Sequence, residues 1–206
     1  MMKLIGSLTS PYVRKVRIVL AEKQINYDFE VDVPWNAQTN VSHHNPLGKI
    51  PILIIDEKTS LYDSRVITEY IDSLATQPGV IRLIPESGNT RWQVKRWEAL
   101  ADGICDAAAT IFLERKRPEV QQSEEWIMRQ QKKVDLGLIE AAKMLGDGDW
   151  CVGKSISLAD VALGCALGYL SFRFPQIEWP RSYPNLNRLA EKLAQRASFI
   201  ATAPRD

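Results

Sequence analysis

The sequence has few of the residues that mark metal sites, disulfide frameworks and membrane spans. It contains three cysteines and two histidines in 206 residues, and the cysteines show no paired spacing, so neither a zinc site nor a disulfide framework is expected. No apolar run reaches the roughly 18 residues of a membrane helix. The N-terminus also lacks the apolar stretch of a signal peptide. These absences predict a cytoplasmic protein that uses no metal and does not contact a membrane.

An excess of charge of one sign is missing as well. The 26 basic and 25 acidic residues give a formal net charge of +1, which provides no electrostatic basis for binding nucleic acid. The hydrophobic fraction is 45%, an ordinary globular composition that supports a sizeable core.

The first 75 residues alternate between strand and helix patterns. Strands are predicted in four short segments: KLIGS (3–7), 27–33, PILIID (51–56) and LYD (61–63). Helices are predicted over 11–23 and 64–75, the first with Arg14, Lys15 and Arg17 on its outer, polar side. The first two strands predict a parallel β-α-β crossover and the last two a hairpin.

Beyond residue 89 every long segment is predicted to be helical. Apolar residues recur at three- and four-residue spacing in helix 91–115, and residues 158–172 are apolar around almost the whole circumference, which is typical of a buried central helix. A stretch rich in turn residues separates the two halves. The sequence therefore predicts an α/β domain of residues 1–78, a linker of 79–88 and an all-helical domain of 89–206.

The step Ser10–Pro11, at the start of the first helix, has two explanations. Serine is a favoured helix N-cap and proline a favoured first helical residue, so the pair is explained by capping alone. Alternatively, the amides at the N-terminus of helix 11–23 and the Ser10 hydroxyl hold an anion together. The residues by themselves leave both explanations open.

Two further motifs in the α/β half have similar alternatives. GKIP (48–51) puts a proline at the start of a strand, where its missing N–H is tolerated; a cis Ile50–Pro51 bond would expose the Ile50 backbone as a strand-like edge. Asp63–Ser64 either caps the following helix or binds the two charged ends of an amino acid. In that case Ser64 and the helix amides would meet the carboxylate, and Asp63 the ammonium.

In combination, these motifs resemble the glutathione transferase (GST) superfamily. NPLGKIP (45–51) with LYDSRVITEYI (61–71) is similar to the family's cis-proline turn and acid–serine motif, and GKSISLADVALG (153–164) to the buried helix of its second domain. The resemblance spans essentially the whole chain and is strongest to bacterial GST-like proteins that carry TSPFVRK. It implies the GST fold, a thioredoxin-like α/β N-terminal domain followed by an all-α C-terminal domain.

The resemblance also implies how glutathione would be held. Ile50, on a turn fixed by cis Pro51, would pair through its backbone with the cysteinyl part of glutathione. Asp63 and Ser64 would hold the γ-glutamyl end, and Lys49 would contact the glycine carboxylate.

Ser10 aligns with the family's reactive-centre position, which is serine in the theta- and zeta-like classes and cysteine in the omega- and beta-like classes. A free thiol has a pKa of about 8.5, and lowering it by about two units needs about 2.7 kcal/mol of preferential thiolate stabilisation. One charge-assisted hydrogen bond and a helix N-terminus reach that scale. Thr9 and Tyr12 are alternative contacts for the sulfur. Because position 10 is not cysteine, a mixed disulfide at this position is excluded, and because no Cys-x-x-Cys occurs, dithiol cycling is not expected.

The second substrate is expected to be a small, partly apolar electrophile that lies between the Ser10 turn and helix 91–115. Five residues are predicted to line its pocket: Tyr12, Ala101, Cys105, Ala108 and Tyr169. For the four helical-half residues, plain core packing is the favoured explanation, and Cys105 in particular is expected to be a small buried apolar residue.

The resulting prediction is a cytoplasmic glutathione S-transferase that uses glutathione as co-substrate, with a role in detoxification. Two alternatives share the fold: a non-catalytic GST-like regulatory or binding protein, and a glutathione-dependent reductase, isomerase or dehalogenase. The resemblance further implies a homodimer, with candidate contacts at Arg65, Tyr70 and the segment RWQVKRWE (91–98).

Overall fold

The computed structural model describes residues 1–74 and 79–205. These residues form two compact units, one from the described parts of Met1–Pro85 and Gln195–Asp206 and the other from Glu86–Ala194. The predicted helix end at Ala75 and the predicted domain end at Pro78 lie outside the described residues. The proposed boundaries at 78 and 89 stay a prediction.

The helices and strands follow the predicted order. They are β1 (Lys3–Gly6), α1 (Pro11–Glu22), β2 (Asp28–Val31), α2 (Val41–His44), β3 (Ile52–Ile54), β4 (Ser60–Leu61), α3 (Ser64–Ser73), α4 (Gly88–Glu114), α5 (Glu124–Leu145), α6 (Leu158–Arg173), α7 (Trp179–Ser182), α8 (Pro184–Ala194) and α9 (Ala197–Ala201). The stretch 36–48, which lacks a clear pattern in the sequence, contains the short helix α2. This is the predicted organisation of an α/β domain and an all-helical domain, and the fold class is confirmed.

The first unit is built on a mixed sheet of four strands in the order β2-β1-β3-β4. Strands β1 and β2 are parallel, as the predicted β-α-β crossover requires. Strand β3 is antiparallel to both β1 and β4, so the predicted hairpin is also confirmed.

Helix α1 is covered on more sides than its sequence pattern predicts. Lys15, expected on the outer face, is only 1% exposed, and Arg14 and Arg17 hydrogen-bond to residues of α9. The prediction of a solvent-facing basic side was therefore wrong. Two other helices of the unit pack on α1, α3 and, from the far end of the chain, α9, and periodicity within α1 carries no information about them.

The start of α1 also lies very close to the end of β1. A Cβ atom built at Gly6 would lie 2.5 Å from Cγ2 of Val13, a distance that real side chains do not tolerate. Glycine at position 6 therefore allows the first turn of α1 to pack directly against the strand.

The second unit is organised around α4, which packs against both α5 and α6. As predicted, α6 is buried on nearly every side. A capping box starts it, because the Asp160 carboxylate accepts the backbone N–H of Ser157 at 2.8 Å. No helix within residues 1–74 and 79–205 is both long and apolar enough to cross a membrane.

Candidate functional site

The sheet register brings the three predicted site motifs to one end of the sheet. Ile5 lies opposite Ile52 across antiparallel β1 and β3, so the residues that follow β1 lie beside those that precede β3. Leu61 lies opposite Leu53 across antiparallel β3 and β4, so the chain returns to the same end after β4. The motifs that meet there are Ser10–Pro11, Ile50–Pro51 and Asp63–Ser64.

Ser10 is the N-cap of α1. Its hydroxyl oxygen accepts the amide hydrogen of Val13 at 3.3 Å, its carbonyl accepts that of Arg14 at 3.0 Å, and Pro11 is the first helical residue. The capping explanation is confirmed. Capping by Ser10 does not prevent its hydroxyl from binding an anion, because a hydroxyl has one hydrogen and two lone pairs. A lone pair holds the helix amide, and the hydrogen can be donated to an anion.

The two alternative contacts for the sulfur lie on either side of Ser10. The Thr9 hydroxyl is 3.4 Å from the Ser7 hydroxyl, which gives it a partner within the turn. Tyr12 is half-buried at the second position of α1. Thr9 and Tyr12 therefore belong to the same turn as Ser10, and both stay alternative contacts for the sulfur.

The turn before β3 is fixed by a residue that the sequence analysis did not single out. The Ile50–Pro51 peptide bond is cis, in agreement with the resemblance. Asn45 is 1% exposed; its Nδ2 donates to the Lys49 carbonyl at 2.8 Å and its Oδ1 accepts the Leu47 amide at 3.0 Å. Asn45 thus sets the path of the backbone into Ile50. The signal was present, since an asparagine side chain that bonds the backbone two residues later is a common turn device.

The same turn is also tied to the neighbouring strand. The Ser60 hydroxyl, at the start of β4, donates to the carbonyl of His44 at the end of α2 at 2.9 Å. Lys49 is exposed, so its ammonium is accessible to an anion. Backbone groups on the turn are therefore fixed by hydrogen bonds, and the lysine side chain is exposed to solvent.

Asp63 and Ser64 start helix α3. Asp63 is the N-cap, and its Oδ1 accepts the Arg65 amide at 2.9 Å. Asp63 is exposed, whereas Ser64 is 3% exposed. Capping is again confirmed, and the exposed part of the carboxylate still faces solvent. One end of the sheet therefore carries two helix N-termini and one carboxylate, which suits the carboxylate and the ammonium of an amino acid.

The predicted pocket residues of the helical unit are all buried. Ala101, Cys105 and Ala108 lie along α4, and Tyr169 lies on α6. Burial raises the pKa of Tyr169 to about 12, the nearby Cys105 thiol adds to the rise, and Arg173 opposes it. Cys105 and Tyr169 are therefore neighbours, and the phenol stays protonated near neutral pH. Core packing accounts for this burial equally well.

Arg173 is a further residue of this region that the sequence analysis missed. Its guanidinium carbon lies 4.2 Å from the ring centre of Phe172 and 4.8 Å from that of Phe112, which is cation–π geometry. It is the last residue of α6, where a cation also favours the negative end of the helix dipole. Within the part of the chain that the structure describes, no group of three or more His, Cys, Asp or Glu side chains is arranged to hold a metal ion.

The chain is similar to known proteins along its whole length. Residues 4–79 match the N-terminal domain of the glutathione S-transferase family, and residues 124–191 match its C-terminal domain. The GST-like protein YibF of Escherichia coli (strain K12) is 40% identical over 203 residues, which are 98% of each chain. The probable maleylacetoacetate isomerase of Vibrio cholerae serotype O1 is 34% identical over 223 residues, covering 99% of this chain and 97% of that one.

A solved structure has nearly the same fold. The crystal structure of a glutathione S-transferase from Methylobacillus flagellatus KT with GSH (glutathione) bound gives a TM-score of 0.95 at 48% sequence identity, and the match covers 100% of both chains. Sequence and fold similarity therefore extend over both units.

Proposed function

Because this chain belongs to the glutathione S-transferase superfamily, we propose that it binds glutathione and activates its thiol for attack on a small electrophile. The observation that carries the proposal is the meeting of two helix N-termini, the Ile50–Pro51 turn and Asp63 at one end of the sheet. The glutathione bound to the Methylobacillus protein supports it.

Each part of glutathione has a chemical partner at this end of the sheet. The ammonium of the γ-glutamyl end would pair with Asp63, and its carboxylate with Ser64 and the first amides of α3. The Ile50 backbone, next to cis Pro51, would form strand-like hydrogen bonds with the cysteinyl residue. The exposed Lys49 would meet the glycine carboxylate.

Ser10 is proposed to stabilise the thiolate. Its hydroxyl hydrogen would be donated to the sulfur while its oxygen continues to cap α1, and the N-terminus of α1 would add a favourable dipole. Together these contributions amount to about 2–4 kcal/mol, enough to lower a thiol pKa by about two units. The thiol proton leaves to solvent. The sulfur then forms a bond to the electrophilic carbon, and the leaving group departs with its electron pair.

The electrophile is proposed to contact Ala101, Cys105 and Ala108 on α4 and Tyr169 on α6. Since its pKa is about 12, Tyr169 would act as a hydrogen-bond donor and not as a base. This assigns the phenol a role in orienting a polar group of an otherwise apolar substrate.

The test is conjugation of an activated aryl halide by wild type and single-hydroxyl variants. Ser10→Ala is expected to lower kcat/KM by about 10- to 100-fold, the loss of one charge-assisted hydrogen bond. Ser10→Gly should behave similarly although glycine is nearly as good an N-cap, which separates thiolate stabilisation from helix capping. Thr9→Ala is the matched control and should retain activity, whereas Tyr12→Phe tests the alternative contact of the phenol hydroxyl with the sulfur. Equal rates for Ser10→Ala and wild type, with glutathione still bound, would remove Ser10 from the mechanism.

A second candidate is a glutathione-dependent isomerase, which the Vibrio cholerae relative favours. An isomerase would use the same thiolate to add to a conjugated double bond and leave again, so glutathione would not be consumed. Titrating free thiol while following a cis-configured unsaturated keto acid separates the two reactions. Reduction, including reductive dehalogenation, would instead oxidise two glutathione molecules to one disulfide and leave no stable conjugate. A regulatory protein that has lost the site would show neither heat nor a thermal shift with millimolar glutathione.

We further propose a homodimer that acts in the cytoplasm and contributes to detoxification, as is typical of the family. Arg65 on α3 and Trp92 on α4 are exposed, whereas Tyr70 is half-buried; the first two are proposed to lie at the surface that meets a second copy. Light scattering at micromolar concentration tests the assembly, and monomeric behaviour would contradict it.

A further inference from the structure

We propose that the C-terminal segment 195–205 is a positioning element for helix α1 and thereby for Ser10 at its N-terminus. The inference rests on the proposed role of Ser10 as the residue that stabilises the thiolate. It assigns Arg196 and Glu22 a function in that chemistry although neither residue lies at the sheet end where glutathione is proposed to bind.

The strongest attachment is at the last turn of α1. Arg196 donates to both carboxylate oxygens of Glu22, from Nε at 2.9 Å and from Nη2 at 2.7 Å, and the Ser198 hydroxyl also donates to this carboxylate. The side chain of Glu22 is 10% exposed and that of Arg196 32%. A bidentate, half-buried pair of this kind fixes the relative orientation of two backbones far better than an exposed lysine pair does.

Two further attachments reach the first turn and the middle of α1. Arg14 donates to the Phe199 carbonyl at 3.3 Å and its guanidinium carbon lies 5.4 Å from the Phe199 ring centre. Arg17 donates to the Ala201 carbonyl at 3.3 Å. The segment therefore holds α1 near its beginning as well as at its end, and the beginning is the turn capped by Ser10.

These contacts act on the geometry of the proposed thiolate site because a helix moves as a unit. The opposite side of α1 rests on β1, where Gly6 allows Val13 to pack closely. The C-terminal segment packs on the outer side, so contacts on two opposite sides fix the position of α1. Positioning errors of about 1 Å are enough to weaken a catalytic hydrogen bond severely. Loosening the outer side should therefore lengthen the bond from Ser10 to the sulfur.

The experiment compares the pKa of the bound glutathione thiol in wild type, Arg196→Met, Arg196→Lys and Glu22→Gln, from the thiolate absorbance against pH. Arg196→Met should raise this pKa by about half a unit or more. Glutathione affinity should change less than about threefold, because Asp63 and Ser64 belong to α3. Arg196→Lys keeps the positive charge but loses the bidentate geometry of the guanidinium. The thiol pKa in this variant should therefore lie between the values for wild type and Arg196→Met. Glu22→Gln is the milder variant if Arg196→Met does not fold.

The matched control is Arg117→Met, which breaks an Arg–Glu contact of similar length to Glu114 in the helical unit (3.0 Å) and should leave the thiol pKa unchanged. A lower melting temperature in Arg196→Met and Glu22→Gln with an unchanged thiol pKa would overturn the inference, since the segment would then be structural only. If wild type itself does not bind glutathione or lower its thiol pKa, the proposed function fails, and this inference fails with it.

Discussion

Lys23 and Asp72 form a buried ion pair in which Nζ lies 3.3 Å from Oδ1 and each side chain is 3% exposed. The same carboxylate accepts the amide hydrogens of Leu83 at 2.9 Å and Ile84 at 3.0 Å. One acidic side chain thus joins the end of α1, α3 and the segment that leaves the α/β unit. The Arg82 guanidinium also lies 3.9 Å from Oδ2. Asp72 is well compensated for its burial because two cations and two backbone amides surround its carboxylate.

Asp72→Ala is therefore expected to lower the free energy of unfolding by about 3–5 kcal/mol, because it leaves a buried ammonium and two amides without this acceptor. Lys23→Met should cost less, since the carboxylate keeps its two backbone donors. Denaturant unfolding measures both. Arg96→Met, at the exposed pair with Glu140, should change stability by at most about 1 kcal/mol. A loss for Asp72→Ala no larger than that of Arg96→Met would contradict the prediction.

Asn45→Ala should weaken glutathione binding by about tenfold, the equivalent of one lost buried hydrogen bond. The reason is that Asn45 holds the Lys49 carbonyl and so the path of the backbone into Ile50. Calorimetric titration measures the change. Asn40→Ala is the control, because Asn40 is exposed and its side chain makes no capping bond at α2. Equal affinities in the two variants would show that the Asn45 turn does not position the ligand.

The Glu22–Arg196 pair should be visible in the dependence of stability on pH. Burial raises the pKa of Glu22, but the hydrogen bonds from Arg196 and Ser198 outweigh it and bring the pKa below its ordinary value of 4.5. A carboxylate with a lowered pKa stabilises the fold above its unfolded-state pKa, and the contribution is lost as the pH falls through the folded-state value. Wild type should therefore exceed Glu22→Gln in stability at pH 6, with the gap closing below about pH 4.5. Parallel stability curves for the two proteins would refute this.

Two helical glycines should respond oppositely to alanine. A Cβ at Gly103 in α4 meets nothing within 4 Å, whereas a Cβ at Gly137 in α5 would lie 2.6 Å from Cγ1 of Ile104. Gly103→Ala should stabilise the protein by about 0.5–1 kcal/mol through helix propensity. Gly137→Ala gains the same propensity but adds about 1–3 kcal/mol of overpacking. Thermal unfolding of both variants tests this order, and a more stable Gly137→Ala would reverse it.

Much of the architecture was predictable because it depends on short-range preferences. The alternation of strand and helix patterns, the apolar circumference of α6, and the N-caps Ser10, Asp63 and Ser157 all arise from residues within about four positions of one another. For this reason the elements and fold class were predicted correctly. Which of these motifs carry chemistry stays a prediction, because helix capping and strand starts also explain serine, aspartate and proline at these positions.

Other features depended on contacts between distant parts of the chain. The arginines of α1 were expected to face solvent, but they contact a helix more than 180 residues later. The buried Asn45 and the neighbours Cys105 and Tyr169 were set by packing and not by spacing.

The sequence by itself therefore determined the local elements, their caps and the residues suited to an anion and an ammonium. Only the tertiary structure decided that these residues meet, because the meeting depends on the register of β1, β3 and β4, in which Ile5 faces Ile52 and Leu53 faces Leu61. A one-residue shift in that register would turn the alternating side chains to the other face of the sheet. The register is determined by how the whole domain buries its side chains. This contribution to the free energy comes from contacts between distant segments and cannot be derived from any short one.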